Sequence, residues 1–120
     1  MILSVELKNQ RAEVLSSNID STNAVLNLLT SGDDILVALN FAQPSAIDIS
    51  NGTLTFASLA EQMVLLTGEA FKAEIVSDDG AVLAQVSVSD ENGSGDIKLP
   101  RLQFFAGDLF RISNWTVNEL

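Results

Sequence analysis

The sequence predicts a mainly β protein: an antiparallel β-sandwich or jelly-roll-like fold with one short N-terminal helix. Three observations carry this. From Asn23 onward, short apolar runs recur about every 8 to 12 residues with Gly, Asn, Asp and Ser between them, the spacing of sandwiches and jelly rolls. Helical periodicity occurs only before residue 18. The 120 residues contain no linker, internal repeat or low-complexity tract. Residues 1–120 are therefore expected to form a single domain, with helix over 1–18 and strands over 23–120.

Taken in order, Leu3, Leu7, Val14 and Leu15 recur at helical spacing, with Glu6, Lys8, Asn9 and Glu13 mostly on the other side. Ser16, Ser17 and Asn18 are expected to end this helix, and its one apolar stripe to dock on something. The runs 23–30 and 33–42 read as strands around the turn 31–34, with Ile35, Val37, Leu39 and Phe41 on one face. Segments 45–50 and 53–58 flank Asn51-Gly52, a pair that favours a type I′ hairpin turn. Residues 61–67 read as a further strand, or as a helical turn beginning near Ser58. Apolar residues on both faces from Met63 to Thr67 suggest that one face meets the helix or another chain.

Runs 69–76 and 81–88 face each other across residues 77–80, the clearest hairpin in the chain. Phe71, Ala73 and Ile75 should share a face in the first arm, and Val82, Ala84, Val86 and Val88 in the second. Short extended pieces follow on either side of Pro100. In the last strand, Phe110 and Ile112 hold one phase while Trp115 and Val117 hold the other. This predicts a β-bulge at Ser113-Asn114, which would bend the strand between two packed sheets.

Composition narrows the function. There are 16 acidic and 6 basic residues, a net charge of −10, and the basic residues form no run. Binding nucleic acid means neutralising phosphates with Lys and Arg, so this balance argues against it, and against anionic membrane surfaces too. No stretch approaches the roughly 18 apolar residues of a membrane helix, and the N-terminus reads as no secretory signal. Cys, His and Tyr are all absent. Thiol nucleophiles, disulfides, thiolate or imidazole metal sites and the usual neutral-pH general base go with them, so no enzyme and no cofactor is expected. A 47% hydrophobic content and a mean hydropathy of +0.28 predict apolar surface to be buried inside or against another subunit.

Asp90, Asn92, Ser94 and Asp96 alternate as oxygen ligands do in an EF-type calcium loop, with Gly95 at the sharp-turn position. The match fails at the closing position, where Arg101 replaces the bidentate Glu, and Pro100 stands where the exiting helix would be. These four residues are weak metal candidates, and turn chemistry explains their composition better. Asp78-Asp79 sits at a hairpin tip, too open to split the pKa values of a catalytic pair. Asn51, Asn92 and Asn114 begin N-x-[ST] patterns that read as turn chemistry. Trp115 suits either the core or an interface. With Leu3, Leu7, Met63, Leu65 and Leu66 it completes the candidate interface residues.

The order of elements resembles a family of small proteins encoded among the structural genes of tailed bacteriophages. The carrying features are the early helix, Asn51-Gly52, the strand at 71–76, Asp79-Gly80, residues 96–99 and Gly107-Asp108. The chain departs from that pattern in having no Trp before the strand at 71–76, and in carrying "SLAEQMVLL" where a more polar middle is usual. The resemblance implies a virion protein made in the host bacterial cytoplasm, most plausibly a capsid cement or decoration protein. It further implies homo-oligomers, dimers or trimers, that contact the major capsid protein or another virion protein. A tail or head–tail joining component and a small carbohydrate-binding module are the alternatives.

Overall fold

The computed structural model describes residues 4–113 and 115–117; Leu3 and Asn114 lie outside them. The protein is mainly β, with one helix, α1 (Val5–Thr22), ahead of a series of short strands. These are β1 (Val25–Leu29), β2 (Ile35–Asn40), β3 (Ala46–Ser50), β4 (Thr53–Phe56), β5 (Leu59–Met63), β6 (Gly68–Glu69), β7 (Lys72–Val76), β8 (Val82–Asp90), β9 (Ile97–Leu99), β10 (Gln103–Phe104), β11 (Leu109–Ile112) and β12 (Trp115–Val117).

The helix is longer than the sequence suggests. Ser4 caps its start by accepting from the Leu7 amide at 3.1 Å. The polar run expected to stop it instead bonds back to the helix's own carbonyls. Ser16 Oγ donates to Glu13 O, Asn18 Nδ2 to Val14 O and Thr22 Oγ1 to Asn18 O, so these side chains do not divert the backbone. Asn23, at φ 50°, ends the helix in the left-handed conformation.

The face that docks is also a different one. Ala12, Ser16 and Ile19 are buried and Leu15 is half-buried, whereas Leu7 and Val14 are exposed. Small residues at the contact let α1 lie close on β3 and β4, and larger ones would hold it away. At the hairpin tip between those strands, the Gly52 amide donates to Asn9 Oδ1 at 2.8 Å. Asn51 and Gly52, at φ 52° and 77°, form the expected type I′ turn.

The larger sheet has the order β2-β1-β7-β8-β9. Strand β1 and its edge neighbour β2 are covered on both faces: Leu26, Asn27, Leu28 and Leu29 are all buried, as are Leu36 and Val37. The expected alternation in β2 therefore holds for Val37 and Leu39 but not for Ile35, which is exposed. The hairpin of β7 and β8 forms as predicted, with Ala73 opposite Val86 and Ile75 opposite Ala84. Phe71 precedes it and points to solvent, as does Val82. One pairing departs from an all-antiparallel plan, because β9 lies parallel to β8, with Val88 opposite Ile97.

The second layer consists of β3-β4-β12 and β5-β11. Its backbone is a ribbon in which residues 53–63 run antiparallel to 109–117, with Phe56 opposite Trp115 and Leu59 opposite Ile112. The predicted phase change is thus a change of partner. Strand β11 pairs with β5, β12 pairs with β4, and Ser113 and the undescribed position 114 stand between them.

One contiguous core runs from Ala12 to Trp115. Phe56 sits in it fully buried, 4.4 Å from the Trp115 ring in a stack and 5.4 Å from Phe41. The layers join at one corner, where the Leu65 amide donates to Leu36 O at 2.7 Å across the edge of β2. On the other side they stay apart. No described strand pairs with the outer edge of β9 or of β11.

Candidate interaction surfaces

Two carboxylates of the loop over residues 90–96 are engaged, one by the loop's own backbone and one by β8. Asp90 Oδ1 accepts from the Asn92 amide at 3.0 Å, and Ser87 Oγ donates to Asp96 Oδ2 at 3.1 Å. Ser87 Oγ in turn accepts from the Asp96 amide, and Ser89 Oγ from the Gly95 amide, each at 2.9 Å. These bonds fold the loop onto β8 and let a very short connection deliver β9 in parallel. Among the described residues, no group of three or more Asp, Glu, His or Cys is placed to hold a metal.

At the tip between β7 and β8, Ser77 Oγ donates to Asp79, and the Ala81 amide donates to Asp79 Oδ1 at 3.3 Å. The Ser77 hydroxyl first, and the Ala81 amide second, hold the Asp79 carboxyl below the usual carboxylate range. A lowered folded-state pKa contributes stability above the unfolded-state value and loses it as pH falls through the folded value. Asp79→Asn should accordingly unfold at lower urea than the wild type near neutral pH. The gap should close as pH falls through and below the ordinary carboxylate range, which urea titrations at a series of pH values would read.

The sequence-derived interface residues separate into two groups. Trp115 is 6% exposed and stacked on Phe56, so it is a core residue and not a surface anchor. Met63, Leu65 and Leu66 are exposed, as is Leu7 on the outer face of α1. Met63 stands directly opposite Leu109 in the ladder of β5 and β11. Beyond β5, Val64 exchanges bonds with Asp108 O and the Gly107 amide at 2.7 and 2.9 Å, and the Ala106 amide donates to Thr67 Oγ1 at 3.0 Å. This lacing gathers Met63, Leu65, Leu66, Phe105 and Leu109, each between 45 and 62% exposed, at one end of the sandwich. Sequence reasoning found the first three. Phe105 and Leu109 needed the register, because they reach the patch only through long-range pairing.

Together these side chains expose on the order of 500 Å² of apolar surface, at the upper end of what a monomer normally shows. Arg101 lies at the edge of the patch, 5.7 Å from the Phe105 ring centroid and 3.6 Å from Asp108. An apolar centre with charge at its rim is the anatomy of a protein–protein interface. Among the described residues, no helix is long and apolar enough to cross a membrane. Comparison with protein-family models, curated proteins and solved structures finds no match to this chain.

Proposed function

We propose that this chain is a structural protein of a tailed-phage virion, a cement or decoration protein that stabilises the capsid through protein–protein contacts. The observation that carries this reading is the apolar end formed by Met63, Leu65, Leu66, Phe105 and Leu109. Two such patches meeting would bury roughly 1,000 Å² in all, the lower bound for a specific interface. Dimers or trimers seated on capsid symmetry axes meet that requirement, with the major capsid protein as the second partner. The acidic surface sets orientation against a basic shell more than it sets affinity. A carbohydrate-binding module is less well supported, because the one Trp is committed to the core and presents little ring face to a sugar.

The test is co-sedimentation with expanded, emptied shells of the phage that encodes the chain, beside its tails and its unassembled capsid subunits. Saturable binding to shells at a fixed ratio per capsomer, with a raised shell melting temperature, is the expected result. Binding to tails alone would replace this reading with the tail or head–tail one. Binding to neither would remove both.

A further inference from the structure

The sequence contains two Asn-Gly pairs, Asn51-Gly52 and Asn92-Gly93, and the fold holds them in different ways. An asparagine followed by glycine is open to spontaneous deamidation, because a residue without a Cβ leaves its amide nitrogen free to approach the asparagine side chain. That nitrogen, on losing its proton, attacks the asparagine Cγ. The N–Cγ bond forms, the Cγ–Nδ2 bond breaks, and ammonia leaves with the proton. Water then opens the cyclic imide at one of its two carbonyls, giving aspartate or isoaspartate. The glycine amide must first leave its hydrogen bond and swing toward Cγ. In a folded chain the rate therefore follows the cost of opening the turn locally.

Asn51-Gly52 is costly to open. Both residues stand at positive φ in a two-residue turn closed by the pairing of Ser50 with Thr53. Gly52 is buried, and its amide donates to Asn9 Oδ1 at 2.8 Å. The Lys8 methylenes lie over it so closely that a Cβ there would stand 3.0 Å from Lys8 Cδ. Freeing this amide means lifting α1 from the hairpin. Asn92, by contrast, is exposed at a loop tip. Its amide donates to Asp90 Oδ1 at 3.0 Å, the Gly93 amide donates to Asp90 O at 3.1 Å, and Gly93 rests on the Ser89 side chain. All of these contacts lie within residues 89–93, so this turn opens without moving another element. Charge alone would give the opposite order, since an amide anion is favoured beside Lys8 and disfavoured beside Asp90, Glu91 and Asp96. Exposed charges are screened by salt, whereas the opening cost enters the rate in full.

We propose that Asn92 is a site of spontaneous deamidation and that the docking of α1 protects Asn51 from it. Isoaspartate at position 92 adds one carbon to the backbone of the loop that delivers β9. Three residues on, Gly95 packs on the β8 backbone with no room for a Cβ. Strand β9 is therefore the element that the modification loosens. None of this rests on the virion reading.

The test incubates the native protein in mildly alkaline buffer and follows both sites over time by peptide mapping and mass spectrometry. Asn92 should react at least about tenfold faster than Asn51. In guanidinium chloride the two rates should converge to within about threefold, because the unfolded chain holds neither turn. In Asn9→Ala the Asn51 rate should rise while the Asn92 rate, the internal control for the rest of the fold, stays the same. Hydrogen exchange at residues 97–99 should be faster in the isoaspartate form. No reaction at Asn92, an equal or faster one at Asn51, the same preference in denaturant, or an Asn51 rate untouched by Asn9→Ala would overturn the proposal. Unchanged exchange at 97–99 would overturn the loosening of β9.

Discussion

Replacing Phe56 with Ala is expected to lower the unfolding free energy by about 3–5 kcal/mol, the range for a fully buried aromatic truncated in a core. Phe56 is the residue through which three elements meet. It lies opposite Ala46 in β3 and opposite Trp115 in β12, and its ring touches both Phe41 and Trp115. Removing it empties the centre of the second layer and takes away the surface on which Trp115 stacks. Urea unfolding followed by Trp115 fluorescence and by far-ultraviolet circular dichroism would read the effect with two probes. The midpoint should fall in both, and the native Trp spectrum should shift to the red as the ring loses its cover. A loss below about 1 kcal/mol would mean that the stack is not the centre of the core.

Gly95→Ala carries the second large effect, by a different mechanism. A Cβ at Gly95 would stand 2.7 Å from the Ser89 amide nitrogen and 2.7 Å from the Val88 carbonyl carbon, both backbone atoms of β8. Backbone cannot step aside as a flexible side chain does, so either the loop lifts from β8 or the strand bends. The expected cost is about 1–3 kcal/mol, with the damage confined to β9 and its loop. Hydrogen exchange should show faster exchange around residues 96–99 while β1 and β7 keep their protection. Ser94→Ala, one position earlier and exposed, serves as the control and should be close to neutral. If both variants behaved alike, the close approach of the loop to β8 would be wrong.

Local signals in the sequence sufficed for several parts of this fold. Asn51-Gly52 specified its hairpin because positive φ at two successive positions leaves few other choices. The hairpin over 72–90 was legible from two apolar runs and four turn residues between them. The two phases of the last strand were legible too, since Ile112 and Trp115 are both buried, but between them the chain changes partner within one layer, from β5 to β4, and does not cross between two sheets.

What was not legible depends on distance. The helix looked short because Ser, Thr and Asn usually compete with a helical backbone, but here they bond within it. Its large apolar residues suggested the docking face, but close approach to β3 and β4 rewarded Ala12 and Ser16 instead, leaving Leu7 and Val14 outside. The parallel placement of β9 comes from Ser87 and Ser89 receiving the loop's amides, a set of contacts with no pattern in the sequence. As for the candidate surface, Met63 to Leu66 stood out as an apolar run. Its extension to Phe105 and Leu109 exists only once the strands are paired.

The proposed function rests on the apolar end formed by residues 63–66 and 105–109 acting as an assembly surface. It is tested most directly by light scattering on protein eluting from a size-exclusion column, at several concentrations, for the wild type and for Leu65→Asp/Leu109→Asp. Both side chains are exposed, so the double variant should fold and unfold as the wild type does. The expected result is a dimer or trimer for the wild type and a monomer for the variant. A wild type that stays monomeric at every concentration, or a variant that assembles as the wild type does, would contradict it.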